Sequence, residues 1–245
     1  MQKEKRCKKK KMITIGGVAI IAVAGIVLMT IFGGGASKSL KNQAKANISE
    51  AHFFMMCESQ ETKRVQIYSG IREQNYKVDG IPGATVPFTL INIIPIGPAL
   101  ANASELRGKI SINGTESEPF ILDRNQFGRN FAHDLGKEIE KDAKVIFTII
   151  NTGGVDEVFE NFAMTMPEKS ITWSEALGAG VEHFAKKLKA ASNFETYVKL
   201  TSDPSNVGIF WQVSFVTDAN VRHIIILDPA GATVTSSSAR TSPVR

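Results

Sequence analysis

The residues of this chain able to do acid–base, nucleophilic or metal chemistry are four histidines, two cysteines and a scattered set of carboxylates. His52, His133, His183 and His223 lie far apart, and none stands in an HExxH or other metal-ligand spacing. His133-Asp134 and Glu182-His183 are adjacent pairs, whose side chains diverge on a helix. There is no GxSxG elbow and no P-loop. Cys57 has no nucleophile signature around it, and a buried thiol is its plain reading. Neither cofactor nor metal is expected. The enzymatic alternative is a hydrolase site assembled from His133, Asp134 and His183, which must converge to hydrogen-bond distance to work.

The elements that would carry such residues begin with an unusual N-terminus. Residues 1–12 hold seven basic residues against Glu4 alone, and residues 13–32 hold no charge. A helix rising ~1.5 Å per residue needs about 20 apolar residues to cross a bilayer, so 13–34 is expected to be a transmembrane helix. The basic tail 1–12 is expected in the cytoplasm, with Lys8, Lys9, Lys10 and Lys11 against anionic headgroups. Gly34-Gly35-Ala36 would suit a signal peptidase, but the apolar run exceeds the usual ~7–15 residues of a cleaved signal. Residues 13–245 carry 22 basic and 23 acidic residues, so the excess positive charge belongs to the tail. Nucleic acid is therefore not an expected partner. With one cysteine on either side of the bilayer, no disulfide framework is expected.

Beyond the span, Leu40, Ala44, Ile48, Ala51 and Met55 recur at helical spacing and predict a juxtamembrane helix over 37–58. A domain over 60–235 follows, with a potential subdivision near 153 at Gly153-Gly154. Strands are predicted at 64–68 and 74–78 around a Ser69-Gly70 turn, at 88–94, and at 109–113 and 119–122 around Asn113-Gly114. Asp123 and Gln126 resemble a capping box, and Phe127, Phe131, Leu135 and Ile139 at steps of four predict a helix to about Lys141. Strands over 144–151 and 157–165 come next. Thr172-Trp-Ser-Glu175 is a second capping box, opening a helix striped by Trp173, Leu177, Val181, Phe184 and Leu188. Gly178 and Gly180 within it suggest close packing. Strands at 195–201, 209–217, 221–227 and 232–235 end the domain, and 236–245 reads as a disordered polar tail.

Strands, helix, strands, helix and a strand meander predict an α+β fold, an antiparallel sheet with helices on one face. The expected function is that of a single-pass, membrane-anchored envelope or cell-surface protein whose exported domain binds or assembles other proteins. A bacterial inner membrane is favoured. The partners expected are the bilayer through 13–32, other envelope proteins, and a second copy of the chain. The candidate interaction residues are Leu40, Ile48 and Met55 on the first stripe. To these we add Phe88, Leu90, Ile94 and Ile96 in the charge-free, proline-punctuated stretch 80–104. Membrane perturbation by 81–101 is a further alternative.

Overall fold

A computed structural model describes residues 35–75, 78–98, 100–125, 129–202 and 208–240. The expected span 13–32 and the lysines 8–11 lie outside them. The chain divides into two compact units, Met1–Ser39 and Leu40–Arg245. The second holds every strand. Helix α1 is Gly35–Ala46. Strands β1 (Ile48–Ser59), β2 (Lys63–Glu73), β3 (Thr85–Pro95), β4 (Glu105–Ile112), β5 (Thr115–Glu116), β6 (Phe120–Arg124) and β7 (Phe131–Asp134) follow. Then come β8 (Val145–Ile149), β9 (Glu157–Phe159), β10 (Ala163–Met164) and helix α2 (Trp173–Ala190). Strands β11 (Phe194–Ser202), β12 (Ile209–Thr217), β13 (Val221–Leu227) and β14 (Thr233–Arg240) complete the chain.

The 14 described strands belong to one sheet, in the order β14-β13-β12-β11-β1-β2-β3-β7-β6-β4-β8-β9, with β10 beside β1 and β5 beside β4. The sheet is mixed: β1 and β11 run parallel, with Ala51 opposite Val198, and the other described pairs are antiparallel. This overturns the α+β expectation. Half of the described residues are strand, and the described helices are two. No described helix is long and apolar enough to cross a membrane, so the structure supplies no helical span for the transmembrane, single-pass expectation.

The predicted helix 37–58 stops at Ala46, and β1 begins at Ile48. Asn47 makes the joint: its side-chain amide donates to Asn193 Oδ1 and to the Phe194 carbonyl. The aromatic and long apolar residues after it favour a pleated surface, and β2 pairs with β1 from Glu50 to Ser59. A bulge at Phe53 interrupts that pairing between His52 and Phe54 and changes which face each following residue meets. Ala51 and Met55 belong to one core cluster, and Phe54 and Met56 to another. Phe53 packs against both. Gly70 lies opposite the bulge, within a continuous β2 rather than a turn. A Cβ there would overlap the Ala51 carbonyl oxygen, so the backbones approach only because position 70 is glycine.

The first cluster joins α1 and α2 to β11, β12 and β13 through Leu40, Leu177, Phe184, Val198, Val213 and Phe215. The second lies among β2, β3, β4, β6, β7, β8 and β9, around Ile67, Ile91, Phe131 and Phe147. Here the sheet folds back upon itself. Lys63 on β2 meets Glu157 on β9 at 2.6 Å, and the Gln60 amide donates to the Val158 carbonyl. The predicted helix 123–141 does not form. Asp123 pairs with Ala132 across β6 and β7, Asp134 ends β7, and Gly136 turns the chain at φ 65°. Phe131 and Ile139 are nonetheless buried, because spacing of apolar residues reports burial and not backbone type. Phe127 and Gln126 are outside the described residues. The expected tail also differs: 236–240 belong to β14, and 241–245 are not described.

Candidate functional site

Charged side chains gather on β1, β2, β7 and β11 beside a pocket of about 560 Å³. His52 Nε2 and Glu50 Oε1 stand 2.8 Å apart, and Lys199 forms an ion pair with the other carboxylate oxygen. The Leu200 N–H donates to His52 Nδ1 at 3.2 Å. A nitrogen that accepts a hydrogen bond carries no proton, so Nε2 holds the hydrogen and donates it to Glu50. Burial pushes the Glu50 carboxyl up, but the His52 hydrogen bond and the Lys199 charge outweigh it and bring its pKa down to about 2. Arg72, also at the pocket, pairs with Asp134 and lies 5.4 Å from the centre of the Phe88 ring. Tyr68 donates to Gln66, and burial raises its pKa to about 12.

This arrangement ties four strands together. Both His52 nitrogens are committed within the protein, so neither is presented to a substrate, and Glu50 and Asp134 are each neutralised by a cation. Sequence reasoning missed the cluster because residues 50 and 52 diverge on the helix predicted over 37–58. On a strand, residues two apart share a face. The usable signal was the pleated-strand composition of His52 to Cys57.

The other candidates are dispersed. His133 Nδ1 is 2.8 Å from the Ile121 carbonyl, and its ring stacks on Phe120 at 4.1 Å. Its neighbour Asp134 turns toward Arg72 instead. His183 contacts Ser236, and His223 contacts Ser238. Burial, then the Lys187 charge, lowers the His223 pKa. Burial raises that of the Cys57 thiol. Among the described residues no group of three His, Cys, Asp or Glu is placed to hold a metal. Of the candidate interaction residues, Leu40, Ile48, Met55 and Phe88 are core. Leu90 lines the polar pocket, Ile94 is half-buried, and Ile96 is exposed just beyond β3. The 81–101 stretch contains β3, hydrogen-bonded between β2 and β7.

The two ends of the sheet differ sharply. Strand β9 has three residues, and Glu157 within it is tied to Lys63. Strand β14 has eight, Thr-Val-Thr-Ser-Ser-Ser-Ala-Arg, and every one is exposed. Its inner edge pairs with β13 from Arg240 opposite Val221 to Thr233 opposite Leu227. Among the described residues no strand pairs with its outer edge. Side chains from α2 and β13 hold it: His183 reaches Ser236 at 3.1 Å, Lys187 donates to Ser238 at 2.7 Å, and His223 Nδ1 is 2.9 Å from the same hydroxyl. The strand expected at 232–235 forms the start of β14, but nothing in local periodicity marks its continuation over 236–240, because a serine-rich run has no apolar face to alternate. No protein-family model, curated protein or solved structure matches this chain.

Proposed function

We propose that the domain is a protein-interaction or assembly module that takes an extended segment of a partner protein onto the outer edge of β14. One observation carries this reading: an eight-residue edge strand, every residue of it exposed, without charge before Arg240 and without proline. An open strand edge offers a row of unpaired N–H and C=O groups to another chain. Protein edges are ordinarily blunted by brevity, lysine, proline or a covering element. β9 is short in this way, whereas β14 is blunted only at its last residue. Small serine and threonine side chains leave its backbone open to approach. The contacts from His183, Lys187 and His223 hold it extended before a partner arrives, which lowers the ordering cost of strand addition.

A membrane location, with this domain outside the cytoplasm, belongs to the same proposal. It rests on the residue types of 1–32 alone.

Photo-crosslinking in cells from positions 235 and 237 tests the edge. Of the neighbouring residues Ser236 and Ser237, one N–H faces β13 and the other faces outward. Proline at the outward position should abolish a discrete adduct that maps to an extended partner segment, with the melting temperature unchanged. An adduct that survives both Ser236→Pro and Ser237→Pro, or no adduct from either position, overturns the reading.

A further inference from the structure

A second cavity, of about 640 Å³, opens where the two core clusters meet at Phe53. That volume lies within the ~300–1,000 Å³ of small-molecule pockets. Trp211, Met164, Met166 and Ile171 are among its lining residues. The Trp211 indole Nε1 donates to the Ile171 carbonyl at 3.1 Å, so the indole's one polar group is spent and only ring surface faces the cavity. Trp173 and Phe53 also line it, with ring centres 5.5 Å apart. The two thioethers are polarisable and adapt to the shape of a guest.

Charge selects among apolar guests. Glu138, Glu140 and Glu168 line the rim, all three exposed and none in an ion pair among the described residues. Lys141 is the lone cation among the lining residues. The N-terminus of α2 reaches the same cavity, but its positive end is already met from within. Glu175 Oε2 accepts from the Thr172 N–H at 2.7 Å and from the Thr172 hydroxyl at 2.9 Å. A carboxylate of the chain's own therefore already stands at that helix end. The Lys45 ammonium lies 5.8 Å from the Trp173 ring centre, within cation–π range, and is a charge the guest's ammonium must share the ring with.

We propose that this cavity binds a small amphipathic organic cation. Its apolar body lies on Trp211, Met164 and Met166, and its ammonium group lies at the mouth among the Trp173 ring and the rim carboxylates. The cavity is independent of β14, so either proposal stands if the other fails.

The chain has two tryptophans and both line this cavity, so the intrinsic fluorescence of the full chain reports on it directly. Benzyltrimethylammonium, benzyl alcohol and phenylacetate serve as cationic, neutral and anionic probes of similar bulk. The cation should give a saturable fluorescence change at a concentration about five-fold below the alcohol, and the carboxylate should give none. The exposed triple variant Glu138→Gln, Glu140→Gln, Glu168→Gln should retain alcohol binding and lose the preference for the cation. Absence of saturable binding of the cation overturns the proposal. So does equal binding of phenylacetate, or a cation preference that survives the triple variant.

Discussion

At the residue scale, two buried carboxylates are set in opposite directions. Glu195 on β11 is fully buried; its Oε2 accepts from the Gly80 N–H at 2.8 Å, and Oε1 has no hydrogen-bond partner among the described residues. Burial pushes its pKa up to about 7, helped by the Glu73 and Asp79 charges and opposed by the Gly80 hydrogen bond. A carboxyl whose folded pKa is raised binds more protons folded than unfolded. Its contribution is therefore complete below the ordinary value of 4.5 and is lost as pH climbs through about 7. Glu50 behaves inversely: its pKa of about 2 gives stability that is present above 4.5 and lost as pH falls through about 2. Urea unfolding should thus show a maximum near pH 5. Stability should fall by roughly 2 kcal/mol between pH 5 and pH 8, because one proton held only by the folded state changes stability by at most about 1.4 kcal/mol for each step of one in pH. Glu195→Gln should flatten the alkaline limb and leave the acid limb; an unchanged alkaline limb would assign that slope to other groups. At low pH, Glu50→Gln should remove part of the acid limb, at the cost of leaving the buried His52 and Lys199 without their acceptor.

At the scale of elements, α2 shows what local signals can specify. Its capping box forms as the spacing of Thr172 and Glu175 predicts, and its apolar stripe faces the sheet. Thr172→Ala should cost about 1 kcal/mol in thermal or urea unfolding, the ordinary value of an N-cap. Gly180 sets how closely α2 sits on β12: a Cβ there would stand 2.7 Å from Val213 Cγ1 and 3.3 Å from Phe215. Filling that gap opposes the helix-propensity gain of ~1 kcal/mol that alanine would bring. Gly180→Val adds bulk and β-branching together, and is expected to lower stability by about 2 kcal/mol in calorimetry. A neutral result would show that the helix lifts off the sheet without penalty. The strands 209–217 and 221–227 coincide with β12 and β13, and Asn113-Gly114 turns with both φ positive, as its residue types require. The helix expected over 123–141 illustrates the opposite. Steps of four place apolar residues on one helical face, yet Phe131 sits on β7 and Ile139 on a loop, where strand pairing to β3 and β6 outweighs local preference.

At the scale of the whole molecule, β14 has a consequence for solubility. It is fully exposed and buries little, but it covers the edge of β13, whose sequence is Val-Arg-His-Ile-Ile-Ile-Leu. Without β14 that apolar strand becomes the end of the sheet, the hazard that edge strands ordinarily avoid. Truncation after residue 232 should leave far-ultraviolet circular dichroism nearly unchanged but produce concentration-dependent aggregation in light scattering. A truncated chain that stays monodisperse would show that β13 needs no cover.

The features legible along the chain are local or compositional. The positive excess lies in residues 1–12, the cap and stripe of α2 follow from residues three and four apart, and the turns follow from Asn and Gly at positive φ. Tertiary contacts set the order of the strands, the parallel joint of β1 with β11, the division of the core at Phe53, the Glu50–His52–Lys199 cluster and the extension of the last strand over 236–240. Each of these depends on partners distant in the chain. Glu50 meets Lys199, and β14 is ordered by hydrogen bonds to β13 and side chains of α2. A strand's hydrogen bonds close only when another strand arrives, so its stability is a property of the assembled sheet that no short window of sequence contains.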